Sequence, residues 1–467
     1  MSDAIAKLER ALGDAVRTDN ATRARHVRDS WVLGELRDFQ GESFSLPLAV
    51  IMPTSTEQMS AAVRLLREAR LPVVPYGGGS GVCGGVEVPE GAVVLSTEKL
   101  EGLVELNDRN LLARFRAGTN GMAAEQRVQE AGLTIGHWPQ SIELSSVGGW
   151  VATRAAGQFS TAYGSIEDVC FALEAVLPDG SVLRTRPTPR AAAGPDLRQL
   201  LLGSEGTLGI VTEVTFSLRE SPAARRGQAF AFDSLAPGVE AIRRLMRAGY
   251  RPPVVRLYDA RESKRNFGEW CPEDQAFLIL LHEGPVDMVD AEIAGTAALC
   301  REAGGTGCDA AAVDHWMSER NHVPGFRGFL ERGIILDTIE VAATWDRVLP
   351  LYDAVSASLA EVPDLLTASA HSSHSYRSGT NLYFTFAARP ADPAQMAPTY
   401  RECWRRTMEA ALSCGAGIAH HHGIGRVRRD FLGGELGDAG LALLRQLKRT
   451  LDPEGLWNPG NLIPPGN

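Results

Sequence analysis

The chain has 467 residues, enough for two or three domains with well-filled interiors. Hydrophobic residues at 44% and charged residues at 22% fit a globular protein, and no apolar run approaches the ~20 residues a membrane-spanning helix needs. A net charge of -10 weighs against a nucleic-acid partner, and seven scattered cysteines with no C-x-x-C pair weigh against a zinc ribbon, a dithiol motif or a disulfide scaffold. The expected setting is cytoplasmic and reducing, with peripheral membrane contact and a homodimer both open.

Residues 1–45 read as a helical, charged segment that opens on the amphipathic stretch MSDAIAKLERALGDAVRTDN, without the pattern of a signal peptide. From Leu46 the character changes. LPLAVIMP reads as a buried strand, TSTEQMSAAVRLLREARL as a helix capped by Thr54 or Ser55, and PVVPY as a second strand. The chain then enters PYGGGSGVCGG, a first glycine-rich loop. AVVLST and LVELNDRNLLARFRAGT continue as strands and MAAEQRVQEAGLTIG as a helix; a second glycine-rich stretch follows at SSVGGWVATRAAG. VCFALEAVLPDGSVLRT reads as a hairpin turning at Asp179-Gly180, and a third loop, GSEGTLG, feeds a Val/Thr-rich strand. From about Glu220 to Pro390 strands alternate with longer helices. AQMAPTYRECWRRTMEAALSCG is an amphipathic helix that leads into GIAHHHGIGRVRRD, and LDPEGLWNPGNLI is a Pro/Gly-rich tail.

The first loop lacks the Gly-Lys-Ser/Thr of a Walker loop and does not open a helix as a Rossmann G-x-G-x-x-G does. Consecutive glycines after a strand can cradle an anion with backbone N–H groups, and they also make a plain tight loop. Three such loops within about 130 residues fit one long ligand gripped at several points, a dinucleotide better than a mononucleotide. In HSSHSYRSGTNLYFTFAA, Tyr383 reads either as a tyrosine packed in a strand or as a proton donor and acceptor whose pKa is lowered by nearby cations. Three adjacent histidines, His420, His421 and His422, do not easily ligate one ion from one short segment. They read as a turn with one imidazole packed and two exposed, or as a proton-handling turn. Arg426, Arg428 and Arg429 read as part of an anion site or a lipid-headgroup patch, or, for at least two of them, as a solvated basic turn.

The set PYGGGSG, QSIELSSVGGWVATRAAG, GSEGTLGIVTEV, HHHGIG and LDPEGLWNPGNL resembles the FAD-linked oxidases of vanillyl-alcohol-oxidase/PCMH type, and within them the alkyldihydroxyacetonephosphate synthases. The resemblance runs from about Leu46 to the end. It implies an α+β protein: a two-subdomain FAD-binding domain over 46–220, a cap domain with a central antiparallel sheet over 221–405, and a segment over 406–467 packing back on the flavin. It maps cofactor contacts onto Pro75, Tyr76, Gly77, Gly78, Gly79, Ser80 and Gly81; onto Gln140, Ser141, Ser145, Ser146, Gly148 and Gly149; onto Thr153, Arg154, Ala155 and Ala156; onto Glu205, Gly206, Thr207, Leu208, Gly209, Ile210 and Val211; and onto Asn461. The first loop holds no histidine of the kind that tethers flavin in some relatives, so the implied FAD is noncovalent. By the same resemblance Tyr383 and His420, His421 and His422 are catalytic, Arg327 holds the substrate's anionic group, and no metal is expected, because Tyr383 stands where the hydroxy-acid dehydrogenases carry a metal-binding histidine. The tail LWNPGNLI departs from the synthase pattern toward the dehydrogenases, with Pro459 in place of an asparagine.

The implied activity is exchange of the acyl group of an acyl-dihydroxyacetone phosphate, a lipid-like phosphorylated substrate, for a long-chain alcohol through a flavin N5 adduct. The alternative is an FAD-dependent D-2-hydroxy-acid dehydrogenase or other alcohol oxidoreductase. A flavin-storage protein ranks last, because groups able to move protons cluster in the cap and C-terminal segments.

Overall fold

The computed structural model describes residues 2–323 and 325–464. A small sheet is built first, with strands in the order Val16–Arg17, Val50–Ile51, Val93–Ser96, Val73–Tyr76. Its last three strands are parallel, and the helix Thr56–Glu68 crosses between two of them. Ser55 is the cap of that helix, its hydroxyl accepting from the Gln58 amide at 3.2 Å. Val63 and Leu66 face inward and are fully buried, whereas Leu65 packs only at the edge. The Val16–Arg17 strand lies inside the segment that the pattern assigns wholly to helix; two residues are too few to show a strand period.

A second sheet is antiparallel, in the order Leu103–Asn107, Leu112–Arg116, Ile210–Ser217, Cys170–Val176, Val182–Arg184. The hairpin turn at Asp179-Gly180 joins its last two strands, Gly180 at φ +82. The second glycine-rich stretch is not a loop throughout: Val147–Thr153 forms two turns of helix, capped by Ser146 and ended by Arg154 in the left-handed region at φ +55.

The third sheet has seven antiparallel strands, in the order Thr306–Cys308, Ala224–Phe232, Ala276–Gly284, Val254–Tyr258, Leu365–Ser372, Gly379–Ala388, Ile335–Thr344. One face is covered by the helices Leu235–Ala248, Val348–Ala360 and Met396–Ser413, whose apolar residues join those of the sheet in the largest core. The other face looks toward the glycine loops. Two long helices bracket the histidine run. Met396–Ser413 precedes it as the pattern requires. Leu432–Leu451 follows it, kinked at Gly437 (φ +67), and its glycines and acidic residues hide it from a pattern reading.

Candidate active site

A cavity of about 850 Å³ lies between the first two sheets and the open face of the third. Its floor is backbone. Pro75–Gly81, Gln140 and Ser141, Ser145 and Ser146, Gly148 and Gly149, Thr153, Ala155 and Ala156, and Glu205, Gly206, Gly209, Ile210 and Val211 all line it. The glycines are needed sterically. A Cβ on Gly78 would collide with the Leu144 carbonyl oxygen, and one on Gly77 would stand 2.8 Å from Ser146 Oγ. Nearby, the N-terminal segment pins the first loop: Ser30 N–H donates to Gly81 O at 2.8 Å, and Asp29 accepts from the Val86 and Trp31 amides.

Four expected cofactor contacts face elsewhere. Arg154 is turned outward toward Glu167 (3.5 Å) by its left-handed backbone. Thr207 is buried with its hydroxyl on Ser204 O, and Leu208 is buried in the protein interior. Asn461 lies behind the wall, donating to the Glu205 carboxylate at 3.0 Å. Cys83 is buried with its thiol toward Gly423 O and Arg428, outside the cavity lining. An extended dinucleotide fits this floor, since glycines bring backbone to the surface where side chains would block it.

The roof is a row of side chains. Cross-strand register pairs Glu340 with Tyr383, Tyr383 with His371, and His371 with Tyr258, so four strands project these four residues from one face. Thr338 Oγ1 donates to the Tyr383 hydroxyl at 2.9 Å, which leaves the phenolic hydrogen free to point into the cavity. Burial, together with the carboxylates of Glu340 and Asp337, pushes the Tyr383 phenol well above its ordinary value, against the opposing pull of the Thr338 hydrogen bond. The expectation of a pKa lowered by cations is therefore corrected: Tyr383 is a neutral phenol. The cation that does act on it, Arg256, is outweighed by burial and by these carboxylates.

The turn that carries the histidines faces this row. Ring centroids of Tyr383 lie 5.9 Å from His421 and 5.5 Å from His422, and both histidines line the cavity. His420 sits one layer back, its Nε2 2.7 Å from the Tyr376 hydroxyl and its Nδ1 2.8 Å from His421 Nδ1. Burial lowers His420 to about 4 and His421 well below its ordinary value, so both are neutral near pH 7. None of the three is exposed, contrary to the simple turn reading. Arg428 is fully buried against the Glu340 carboxylate, and Arg426 and Arg429 are mostly covered, so the solvated basic turn does not form.

Residues to which the sequence reading gave no role complete the site. His374, from the loop after Leu365–Ser372, donates or accepts at Ser160 Oγ (2.6 Å) and comes within ring contact of His420 and His421. One nitrogen of each of these three imidazoles falls within 4.8 Å of the others, a set able to hold a transition-metal ion, which the adjacent trio alone is not. Two arginines line the cavity without a carboxylate salt-bridge partner among the described residues. Arg256 donates to the Tyr258 hydroxyl (2.8 Å) and to His371 Nε2 (2.7 Å) and lies against the Trp316 ring. Arg320 donates to Gln158 Oε1 and Asn321 Oδ1 (both 3.1 Å) over the rings of Trp138 and Phe159, and burial brings it down to about 10. Arg327 is outside: it is about two-thirds exposed, beside Glu331 (3.7 Å) and the Phe39 ring. The only hint at Arg320 was its place in a helix end rich in charged residues, which is an ordinary surface pattern.

A two-layer site, with a glycine-lined floor beneath an ionisable roof, defines a two-domain flavoprotein. The family models agree in position. An FAD binding domain matches residues 47–186, and the FAD linked oxidases, C-terminal domain, matches 221–462. The chain belongs to the FAD-linked oxidase family, with FAD as its cofactor. It is 34% identical over 439 residues to the uncharacterized FAD-linked oxidoreductase YgcU of Escherichia coli (strain K12), covering 90% of this chain and 89% of that protein. It is 27% identical over 488 residues to the alkyldihydroxyacetonephosphate synthase of Dictyostelium discoideum, covering 97% and 79%. A solved alkyldihydroxyacetonephosphate synthase superposes with a TM-score of 0.80 at 23% identity, over 98% of this chain and 84% of that one. No helix among the described residues is long and apolar enough to cross a membrane.

Proposed function

We propose that the protein is an alkylglycerone-phosphate synthase-like transferase, which exchanges the acyl group of an acyl-dihydroxyacetone phosphate for a long-chain alcohol. The observation that carries this reading is the neutral Tyr383 phenol facing the neutral His421 imidazole across a cavity that also holds two arginines without carboxylate salt-bridge partners among the described residues. Bound FAD would supply a reversible electron sink. The chain's own residues divide the rest. Arg256 and Arg320 hold the phosphate, Arg256 being fixed through Tyr258 and His371. The imidazole of His421, kept neutral by burial, or that of His422 accepts the proton from the carbon bearing the ester. The Tyr383 hydrogen, freed by the Thr338 donation, bonds the adjacent oxygen as charge builds on it. The fatty acid leaves as its carboxylate, the alcohol oxygen bonds to the same carbon while its hydrogen passes through an imidazole to the departing carboxylate, and the first proton returns to carbon, so the sum is redox-neutral. Likeness to the synthases along nearly the whole chain supports the reading.

Two observations favour a second reading, an FAD-dependent D-2-hydroxy-acid dehydrogenase or other alcohol oxidoreductase. The His374, His420 and His421 set could take a metal ion, and YgcU carries the name of an oxidoreductase. The two separate in one experiment. D-lactate, glycolate and D-2-hydroxyglutarate are added in turn to the flavin-loaded protein without oxygen. Bleaching of the visible flavin band by any of them would overturn the transferase reading. Incorporation of a labelled long-chain alcohol into an ether phospholipid precursor, with the flavin band unchanged, is the result expected.

A further inference from the structure

Three consecutive backbone N–H groups, those of His420, His421 and His422, converge on one oxygen, Glu340 Oε1, at 3.3, 3.2 and 2.8 Å. Successive amides that point at one spot form an anion nest, and here its anion is internal. The other oxygen of the same carboxylate, Oε2, receives the buried Arg428 guanidinium and lies 2.9 Å from His422 Nδ1. Arg428 in turn donates to Gly423 O and Cys83 Sγ, which ties the arrangement to the first glycine loop. Two residues further on, Ile424 and Gly425 donate their N–H groups to the Glu205 carboxylate from the third glycine loop. The histidine turn is therefore stretched between the buried carboxylate of Glu340 and the partly buried one of Glu205. Glu340 also stands directly across the strands from Tyr383, on the same face.

We propose that Glu340 is the positioning residue of this site: seated in the nest, its carboxylate fixes the turn so that His421 and His422 present their rings to Tyr383. The proposal rests on the reading that this turn and Tyr383 carry the chemistry. It explains why a run of three histidines needs no solvent and no metal to hold one conformation. It also explains why the turn's own amides do not serve as the substrate's anion site, because Glu340 already fills it.

Glu340→Ala and Glu340→Gln separate placement from mere stability. Since both leave Arg428 without its partner, the charge-neutral pair Glu340→Gln/Arg428→Gln is the second arm. Hydrogen exchange followed by mass spectrometry on the FAD-loaded protein reads the amides of 417–425 directly. Turnover is read with acyl-dihydroxyacetone phosphate and a labelled long-chain alcohol, or with the hydroxy acid that bleaches the flavin if one does. In Glu340→Ala the amides of the turn should exchange at least about tenfold faster and kcat should fall about 10²-fold, with KM within about threefold and FAD retained. Glu340→Gln, which keeps an acceptor oxygen, should restore most of the amide protection and part of kcat. Unchanged exchange and kcat in Glu340→Ala would overturn the proposal. So would loss of FAD and of protection across the whole third sheet in the charge-neutral pair, since that marks a purely structural residue. If Tyr383→Phe and His421→Ala remain fully active, the functional reading fails instead, whatever the exchange shows; if those two lose turnover and Glu340→Ala does not, only the Glu340 proposal falls.

Discussion

The floor and the roof of the cavity recognise their ligands by opposite means. The floor, from the glycine loops of the first two sheets, offers backbone and almost no charge; its precision comes from side chains that are missing. The roof, on the third sheet and the histidine turn, offers ionisable groups whose protonation is set by burial and by their neighbours. The difference shows in the carboxylates. Glu340 is held well below the usual carboxylate range: burial alone would raise it, but Arg428 and then His422 outweigh burial. Asp337, three residues earlier and also buried, has no arginine; its hydrogen bonds come from the neutral donors Tyr400, Trp404 and its neighbour's amide, and burial lifts it to about 6. Floor variants should therefore affect cofactor retention, and roof variants should affect chemistry and pH response.

The largest effect is expected in the roof. Tyr383→Phe should keep FAD, as read by its visible spectrum, and lower kcat by about 10²–10⁴-fold; full activity would remove Tyr383 from the chemistry. Arg256→Met or Arg320→Met should raise KM for an anionic substrate roughly 10- to 100-fold each, the scale of a lost charge-assisted hydrogen bond. In the floor, Gly78→Ala pushes a methyl group into the Leu144 carbonyl and should cost about 1–3 kcal/mol and most of the bound FAD, checked by thermal denaturation and flavin content. The pH response is smaller. Because the folded pKa of Asp337, about 6, lies above its ordinary 3.8, the folded state binds this proton more tightly than the unfolded chain does. Stability is therefore unpenalised below about pH 4 and declines as the pH rises to about 6, by roughly 3 kcal/mol at most. Asp337→Asn should flatten that limb of the melting-temperature profile. Smallest of all, Arg327→Ala should change neither melting temperature nor KM, since its side chain is exposed and points away from the cavity.

The two layers were also unequally legible. Most of the floor could be read because its contacts are contiguous: Pro75–Gly81 and Glu205–Val211 are local motifs, and their glycines announce a backbone that must approach a ligand. The misses there are local too. Arg154 is turned away by one left-handed residue, and Thr207 and Leu208 fall on the inner side of a turn, which no spacing rule distinguishes. The roof could be read only in pieces. Tyr383 and the histidine run were visible by resemblance, but His371, His374, Arg256 and Glu340 lie on separate strands and loops whose sequences look like ordinary sheet. Arg327 drew notice in place of Arg320, seven residues earlier, because linear position cannot tell which arginine of a charged segment turns inward.

The sequence by itself determined most of the strands and helices, the three glycine-rich stretches and the residue types that any proton transfer here would use, and the resemblance of its motifs pointed to the family and the FAD cofactor. The elements and loops follow from local conformational preference and periodicity, which are written along the chain, and the resemblance rests on contiguous motifs. The tertiary structure alone decided protonation and direction. It set a neutral Tyr383, two neutral histidines, a buried Arg428 in place of a basic surface, and a carboxylate 80 residues from His420 that accepts its amide hydrogen. These depend on burial and on distances between segments far apart in the chain, and both come into being only when the third sheet closes over the glycine loops.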